Sequence, residues 1–421
     1  MHRRRFNSLL AGAAGTAALG RLGCTSAQPL GSVRADIYAN VGPRLNRYRI
    51  ADDGTSLEEL GDPIVLPEEV QEACQWGRYL YVASSDEHTA KNPRNHYLNA
   101  FEVDSSGGLE PIGDAVRLRH RPIHITIDHP GEYLLAAFNN PSSIAVHRLS
   151  ADGSIGEEIR QETTLDAGVY AHQIRVMPSG RAVILPARGN QGIPGVRDED
   201  RGALKIFSYD DGQLENRQSV APNGGREFRC RHVEFHPSGR WVYVVIESQN
   251  ELHTFSIDND RLSAEPRFVT NLLASSARSR QGQAASAIRM HPTNGRTLYV
   301  ANRGRGTEVF QGEEVISAEM ENSIAVFSVD PETGEPRLIQ SADPQCIDIR
   351  MFALHPDGRS LVATSHEMDG PMKRRRGNDV EIVPPRVVLF SIGPDGRLTF
   401  RYRQDVQTGG LFQLWCGDVR Y

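Results

Sequence analysis

One short turn recurs along this chain and limits its fold more than any other feature. "MPSGR" ends at Arg181, "HPSGR" at Arg240, "HPTNGR" at Arg296 and "HPDGR" at Arg359. Looser copies are "QWGR" ending at Arg78 and "HPGE" ending at Glu132. Each precedes an apolar, β-branched or aromatic run: "YLYVAS", "YLLAAF", "AVILPA", "WVYVVI", "TLYVAN" and "SLVATS". Runs of that kind after a Pro/Gly turn read as buried strands. A further strand follows each, for example "SIAVHRLS", "ELHTFSID" and "RVVLFSIG", and then a second turn such as "ADGSIG", "DNDRL" or "GPDGRL". Asp, Asn and Gly supply the positive-φ positions that tight hairpins need.

The unit is therefore strand, turn, strand, loop, strand, turn, strand. Turn glycines 131, 180, 239, 295 and 358 lie about 50 to 60 residues apart, the period of a β-propeller blade. The second turn occurs seven times, counting "RYRIADDGTSLEEL" near the N-terminus, whereas the first occurs six times. A closed ring resolves the mismatch if the chain ends share a blade. Residues 33 to 60 then supply its outer strands and "GGLFQLWCGDVRY" its innermost one, which removes open sheet edges. The expectation is an all-β, seven-bladed β-propeller of four-stranded blades, with eight blades the competing count. No blade carries a Trp-Asp signature, so this is not a WD40 repeat.

The first residues stand apart from the propeller, which occupies residues 33–421. "MHRRRFNSLLAGAAGTAALGRLGCTSAQP" has a basic head, a small-residue apolar stretch and Thr25-Ser26-Ala27 before Gln28. That is the build of an export signal cleaved after Ala27, too short for a membrane span. Arg3-Arg4-Arg5-Phe6 resembles a twin-arginine signal, so residues 1–27 are expected to direct the folded chain to the periplasm. Lipid attachment at Cys24 is the lesser alternative, because Arg21 suits a lipobox poorly. The formal charge of -6 becomes more negative without this head, which argues against a nucleic-acid partner. Cys74, Cys230, Cys346 and Cys416 show no metal-cage spacing and read as small buried thiols. No metal and no cofactor are expected.

In an antiparallel hairpin, residues equally far from the turn lie beside one another. Arg231 and Glu247 each lie eight residues from Gly239, which places them together at the blade end opposite the turn. The same spacing sets His172 with Arg188 around Gly180, and Arg350 with His366 around Gly358. Arg303 takes the Glu247 position in its blade, and Asn139 takes it in the blade turning at Gly131, with His124 nearby. Apolar strand runs thus end, blade after blade, in Arg, His or Glu. For a single residue an inter-blade salt bridge explains this well; for the set, an anion-binding pocket at the channel mouth explains it better. Arginines clamp carboxylate or phosphate and stabilise an oxyanion or enolate, and a neighbouring His or Glu moves a proton. The turn histidines His129, His236, His291 and His355 fall at the opposite end and read as structural. No GxSxG, HExxH or P-loop motif is present, so serine-hydrolase, zincin and NTPase chemistry have no support.

"RPIHITIDHPGEYLLAAFNNPSSIAVHRL", "AHQIRVMPSGRAVILPA", "RHVEFHPSGRWVYVVIE" and "ALHPDGRSLVATSHE" resemble the seven-bladed lactonase family. That family includes propeller-type 6-phosphogluconolactonase and carboxy-cis,cis-muconate cyclase, and the resemblance covers essentially residues 33 to 421. It implies metal-independent lactone chemistry. The cyclase branch's catalytic His, two Arg and Glu correspond by motif to His172 in "AHQ", Arg231 in "RHVEF", Arg303 in "ANRG" and Glu247 closing "VVIE". For hydrolysis, the resemblance implies Arg231 and Arg303 on the substrate anion and carbonyl, with His172 or Glu247 activating water. His124, Asn139, Arg188, Arg350 and His366 are the expected substrate-binding residues. Three insertions depart from the pattern: "GNQGIPGVRDEDRG", "RGRGTEVFQGEEVISAEMEN" and "PMKRRRGNDVEIVPPR". They are expected to reshape the rim, the basic run as a solvated loop. The leading expectation is hydrolysis of a small sugar-type lactone. A muconate-type lactonising isomerase and a non-catalytic exported binding propeller are the alternatives, since fold alone does not license catalysis.

Overall fold

The computed structural model describes residues 34–86, 94–193, 195–274, 281–312, 314–365 and 372–421. The export signal expected at residues 1–27 and the candidate ligand His366 lie outside the described residues. Seven antiparallel sheets, each built on four strands, succeed one another along the chain. Their innermost strands are Glu69–Trp76, Pro122–Ile127, Arg175–Val176, Cys230–Phe235, Gln283–Met290, Ile349–Leu354 and Cys416–Arg420, and contacts between successive blades close the ring, Ala182–Ala187 rather than Arg175–Val176 meeting Cys230–Phe235. We number the blades 1 to 7 in that order. No α-helix occurs among the described residues.

The second strand of each blade explains the unbroken apolar runs. Every residue of Tyr133–Asn139, Trp241–Ile246, Thr297–Gly304 and Ser360–Ser365 is buried. Both faces of such a strand are covered, so alternation gives way to continuous apolar sequence. The fourth strands, such as Leu398–Asp405, face solvent and are largely polar.

Blade 7 is the shared one. Cys416–Arg420 pairs antiparallel with Ala35–Val41, Ala35 facing Arg420 and Ala39 facing Cys416. Arg44–Ile50 and Leu57–Glu59 complete the sheet. Asn40, fully buried, fastens the closure. Its Oδ1 accepts from the amides of Leu414 and Trp415, both at 2.8 Å, and its Nδ2 donates to the carbonyls of Gly42 at 3.0 Å and Phe412 at 3.1 Å.

Neighbouring blades are latched by a recurring pair of bonds. Second-strand tyrosines donate to the outer-turn glycine of the next blade: Tyr38 to Gly107 O at 2.8 Å, Tyr243 to Gly334 O at 3.2 Å and Tyr299 to Gly396 O at 2.9 Å. Gly334 and Gly396 adopt φ values of 75° and 82°, and a Cβ on either would lie 2.5 Å from Trp241 or Thr297, so both conformation and space demand glycine. The turn histidines do the same on the inner ring. His236 Nε2 bonds Gly295 O and His291 Nε2 bonds Gly358 O, each at 2.9 Å, which gives these residues a structural job.

Two insertions fold rather than wander. Thr307–Phe310 pairs with Glu314–Ser317, and Met372–Arg376 pairs with Asp379–Val383. The basic run, read from sequence as a solvated loop, is thus a strand, because Gly377 at φ 67° turns it back onto "DVEIV". The two hairpins dock on each other through Lys373 and Glu314 at 3.4 Å, Gln311 Nε2 to Asn378 O at 3.1 Å, and Arg375 stacked 5.2 Å from the Phe310 ring centroid.

Candidate active site

Glu247 follows the second strand of blade 4 and is 5% exposed. Three guanidiniums from three blades surround it. Arg231 Nη1 and Arg303 Nη2 each lie 2.6 Å from Oε1, and Arg188 Nη1 pairs with Oε2. Arg188 is steadied by stacking, its Cζ 4.5 Å from the Tyr170 ring centroid. Arg303 is fully buried and also donates to Ala285 O at 3.2 Å. Beyond it Asp348 lies 3.5 Å from Arg305 and 3.9 Å from Arg303.

The backbone register behind this cluster differs from the symmetric one. Cys230, not Arg231, faces the end of the second strand, opposite Ile246, and the Glu247 amide donates to Arg229 O at 2.9 Å. Likewise the His172 amide bonds Pro186 O, and the Arg188 amide bonds Tyr170 O, so His172 and Arg188 are not backbone partners. In blade 6, Ile349 faces Ser365, which shifts Arg350 off its expected position opposite residue 366. Two causes add: the hairpin centre falls between Ser238 and Gly239, and a β-bulge separates Cys230 from Val233. A bulge sets two residues against one and re-aims their side chains. That re-aiming brings Arg231 onto Glu247 and turns His232 inward as well.

His232 is the residue that sequence reasoning missed. Strict alternation places it on the face opposite Arg231, and the only signal for it is its adjacency in "RH". Its ring meets His172 edge-on at a centroid distance of 5.3 Å and His124 at 6.4 Å, so histidines from blades 2, 3 and 4 converge below the arginines. His124 also lies 3.4 Å from Gln173 Nε2, and Gln173 Oε1 accepts the Val233 amide at 2.7 Å. Asn139 ends its strand opposite Ser142 and makes no hydrogen bond or ion pair with the cluster among the described residues.

The electrostatics divide the roles. Burial raises the Glu247 carboxyl, but Arg231, Arg188 and Arg303 outweigh it and hold the group well below the usual carboxylate range. Burial, then the charge of Arg231, pushes His172 well below the ordinary imidazole value; His124 and His232 are pushed the same way, chiefly by burial. All three are neutral at pH 7, and the Nδ1 atom of each is buried without a hydrogen-bond partner. Arg350 is half-buried. Burial and the surrounding cations Arg231, Arg303, Arg121 and Arg305 work against its charge. Arg231 Nε and Arg303 Nη1 are buried donors without an acceptor, an arrangement that costs about 1–3 kcal/mol each. Such a site can hold an anion, stabilise a developing oxyanion and move one proton.

Among the described residues no group of three or more His, Cys, Asp or Glu could hold a metal ion. Cys230, Cys346 and Cys416 are buried free thiols and Cys74 is a half-buried one. No helix among them is long and apolar enough to cross a membrane.

Comparison with known proteins agrees with this architecture. The chain is 29% identical over 238 residues to 6-phosphogluconolactonase of Pectobacterium carotovorum, covering 54% of this chain and 67% of that one. It is 26% identical over 313 residues to 6-phosphogluconolactonase of Bacillus subtilis, covering 70% and 79%. The solved periplasmic gluconolactonase of Pseudomonas aeruginosa superposes with a TM-score of 0.65 at 18% identity, covering 91% of this chain and 99% of that one, a likeness of fold. Residues 42–370 match the family described as "Lactonase, 7-bladed beta-propeller". With seven blades closed by the chain ends and a match across most of its length, this chain belongs to the seven-bladed β-propeller lactonase family.

Proposed function

We propose that this protein hydrolyses a sugar-type lactone at the channel mouth, in the periplasm after removal of residues 1–27. The observation that carries the reading is the cluster of Arg188, Arg231 and Arg303 around Glu247, with donors to spare beside a neutral imidazole. The 6-phosphogluconolactonase name of its relatives supports the reaction class.

Glu247 is a poor base, because three cations stabilise its ionised form. Its part is to gather the arginines that would otherwise repel one another. His172 is the better base: neutral, unpartnered at Nδ1 and next to the cluster. It takes a proton from water as the resulting hydroxide attacks the lactone carbonyl carbon. The carbonyl oxygen becomes an oxyanion held by Arg231 and Arg303. Collapse of this intermediate breaks the ring C–O bond, and the imidazolium returns its proton to the departing alkoxide. Arg188 and Arg350 hold the substrate's remaining oxygens or its anionic group, with His124 and Asn139 on the flank. His366 completes the set proposed from the sequence.

An export signal argues against phosphogluconolactone, a product of cytoplasmic sugar metabolism, as substrate. The same imidazole and arginines also suit protonation of an enolate, which keeps the lactonising isomerase as the second reading. Acid release by residues 28–421 across gluconolactone, its 6-phosphate and muconolactones tests the proposal. Turnover of the unphosphorylated sugar lactone supports it. Turnover of muconolactones alone favours the isomerase, and no turnover on any favours a binding propeller.

A further inference from the structure

A groove of about 1230 Å³ runs outward from Arg188 and Glu247, between the insertion at 189–202 and the first strand of blade 5. Pockets for drug-sized ligands span about 300–1,000 Å³ and are lined mostly by apolar side chains. This one is larger and of opposite character. Beyond the arginine cluster its walls combine amides such as Gln191, Gln249 and Asn271 with the charged side chains of Arg197, Glu227 and Glu251, and carry few apolar side chains.

The insertion wall is held in place. Arg229, 3% exposed, donates from Nη2 to Glu199 Oε1 at 2.6 Å and from Nη1 to Asp200 O at 2.8 Å. Asn190 Nδ2 donates to Asp200 Oδ2 at 2.9 Å, and Gln191 Nε2 to Ser248 Oγ at 3.1 Å. On the facing side Gln249 Oε1 is buried with no hydrogen-bond partner. Asn271 Oδ1 is taken up by the Leu273 amide at 2.8 Å, which leaves its Nδ2 donors for the groove. A fixed wall of amides and charged groups, facing the buried, unanswered Gln249 Oε1 and the exposed Asn271 amide, selects a ligand dense in hydroxyls, because each displaced hydrogen bond must be replaced. An aromatic acid or a lipid acyl chain would strand those groups.

We propose that the substrate is an aldonolactone carrying a second sugar, its lactone ring at Arg231, Arg303 and His172 and its glycosyl unit in the groove. This rests on the lactonase reading and adds the substrate class to it. A single six-carbon lactone leaves the groove's outer amides unused.

The test compares residues 28–421 on glucono-1,5-lactone and cellobiono-1,5-lactone, and by calorimetry on gluconate and cellobionate, for the wild type and the Gln249→Ala/Asn271→Ala double variant. We expect kcat/KM roughly tenfold higher for the disaccharide lactone, a preference that the double variant largely abolishes, since two or three added hydrogen bonds are worth about that factor. Equal or better turnover of gluconolactone overturns the substrate class and leaves the lactonase reading standing. If neither lactone is opened, tighter binding of cellobionate than gluconate, lost in the variant, supports the groove while refuting the lactonase. Equal or absent binding refutes both. A melting curve matching wild type shows that the variant is folded.

Discussion

Arg231 and Glu247 meet at 2.6 Å, although the backbone register sets the Glu247 amide against Arg229. The bulge between Cys230 and Val233 turns the arginine across that offset. The link is therefore built by a local irregularity, and the regular ladder alone would not make it. Arg303 and Arg188 then reach the same carboxylate from the flanking blades, which ties three blades together at one buried charge.

Glu247→Gln removes the carboxylate that three guanidiniums share, leaving Arg303 with Asp348 at 3.9 Å and stripping Arg188 and Arg231 of their counter-charge. Removing one partner of a buried ion pair destabilises by about 3–5 kcal/mol, and the same change scatters the oxyanion donors. A lower melting temperature and a drop in kcat of at least about a hundredfold are expected together from thermal unfolding and initial rates. Loss of activity with no loss of stability would contradict the anchoring role.

Arg350 shows the opposite balance. Among the described residues it forms no ion pair, and Arg231, Arg303, Arg121 and Arg305 oppose its charge. Arg350→Met should stabilise the fold by about 1–2 kcal/mol, while raising KM roughly tenfold or more for an oxygen-rich or anionic substrate. Urea unfolding and steady-state kinetics measure the two effects separately.

Glu72 and the histidines give pH signatures of different sign. Burial pushes the Glu72 carboxyl up to about 7, against the pull of Arg289 and Arg350. A folded value above the unfolded one gives stability that is complete below about pH 4.5 and lost as pH rises through 7. Glu72→Gln should therefore stabilise the protein more at pH 8 than at pH 5, by a difference on the order of 3 kcal/mol. His124, His172 and His232 are depressed instead. Their contribution is present above the unfolded value of about 6.5 and is lost as pH falls toward their folded values. Melting temperature against pH, for the wild type and for His124→Asn, reads this acid limb, which the variant should flatten.

Asn40 makes four side-chain hydrogen bonds, three of them across the ring closure to Phe412, Leu414 and Trp415 and one to Gly42 beside it. Asn40→Leu leaves the amides of Leu414 and Trp415 buried without those acceptors and should cost about 2–4 kcal/mol. Hydrogen exchange of residues 411–420 should quicken first, ahead of the other blades.

Much of this was legible beforehand. The seven-to-six mismatch of turns required the chain ends to share a blade, and Cys416–Arg420 does pair with Ala35–Val41. Polar residues closing apolar runs marked Arg188, Glu247 and Arg303, because nothing in the packing of a doubly covered strand calls for a charge. The register was not legible, since a bulge is set by how two strands fit rather than by composition. His232 was hidden for the same reason. The docking of the Lys373 hairpin on the Glu314 hairpin depends on two insertions 59 residues apart, a contact that no local pattern encodes.

The central claim is that Glu247 and its arginines, with His172 as base, open a lactone. The most direct measurement is proton release from glucono-1,5-lactone in a pH-stat by residues 28–421, alongside Glu247→Gln and His172→Ala. Release well above the uncatalysed rate is expected, reduced at least about a hundredfold in each variant. Folded wild-type protein that releases no more acid than buffer, or variants that match it, would contradict the account.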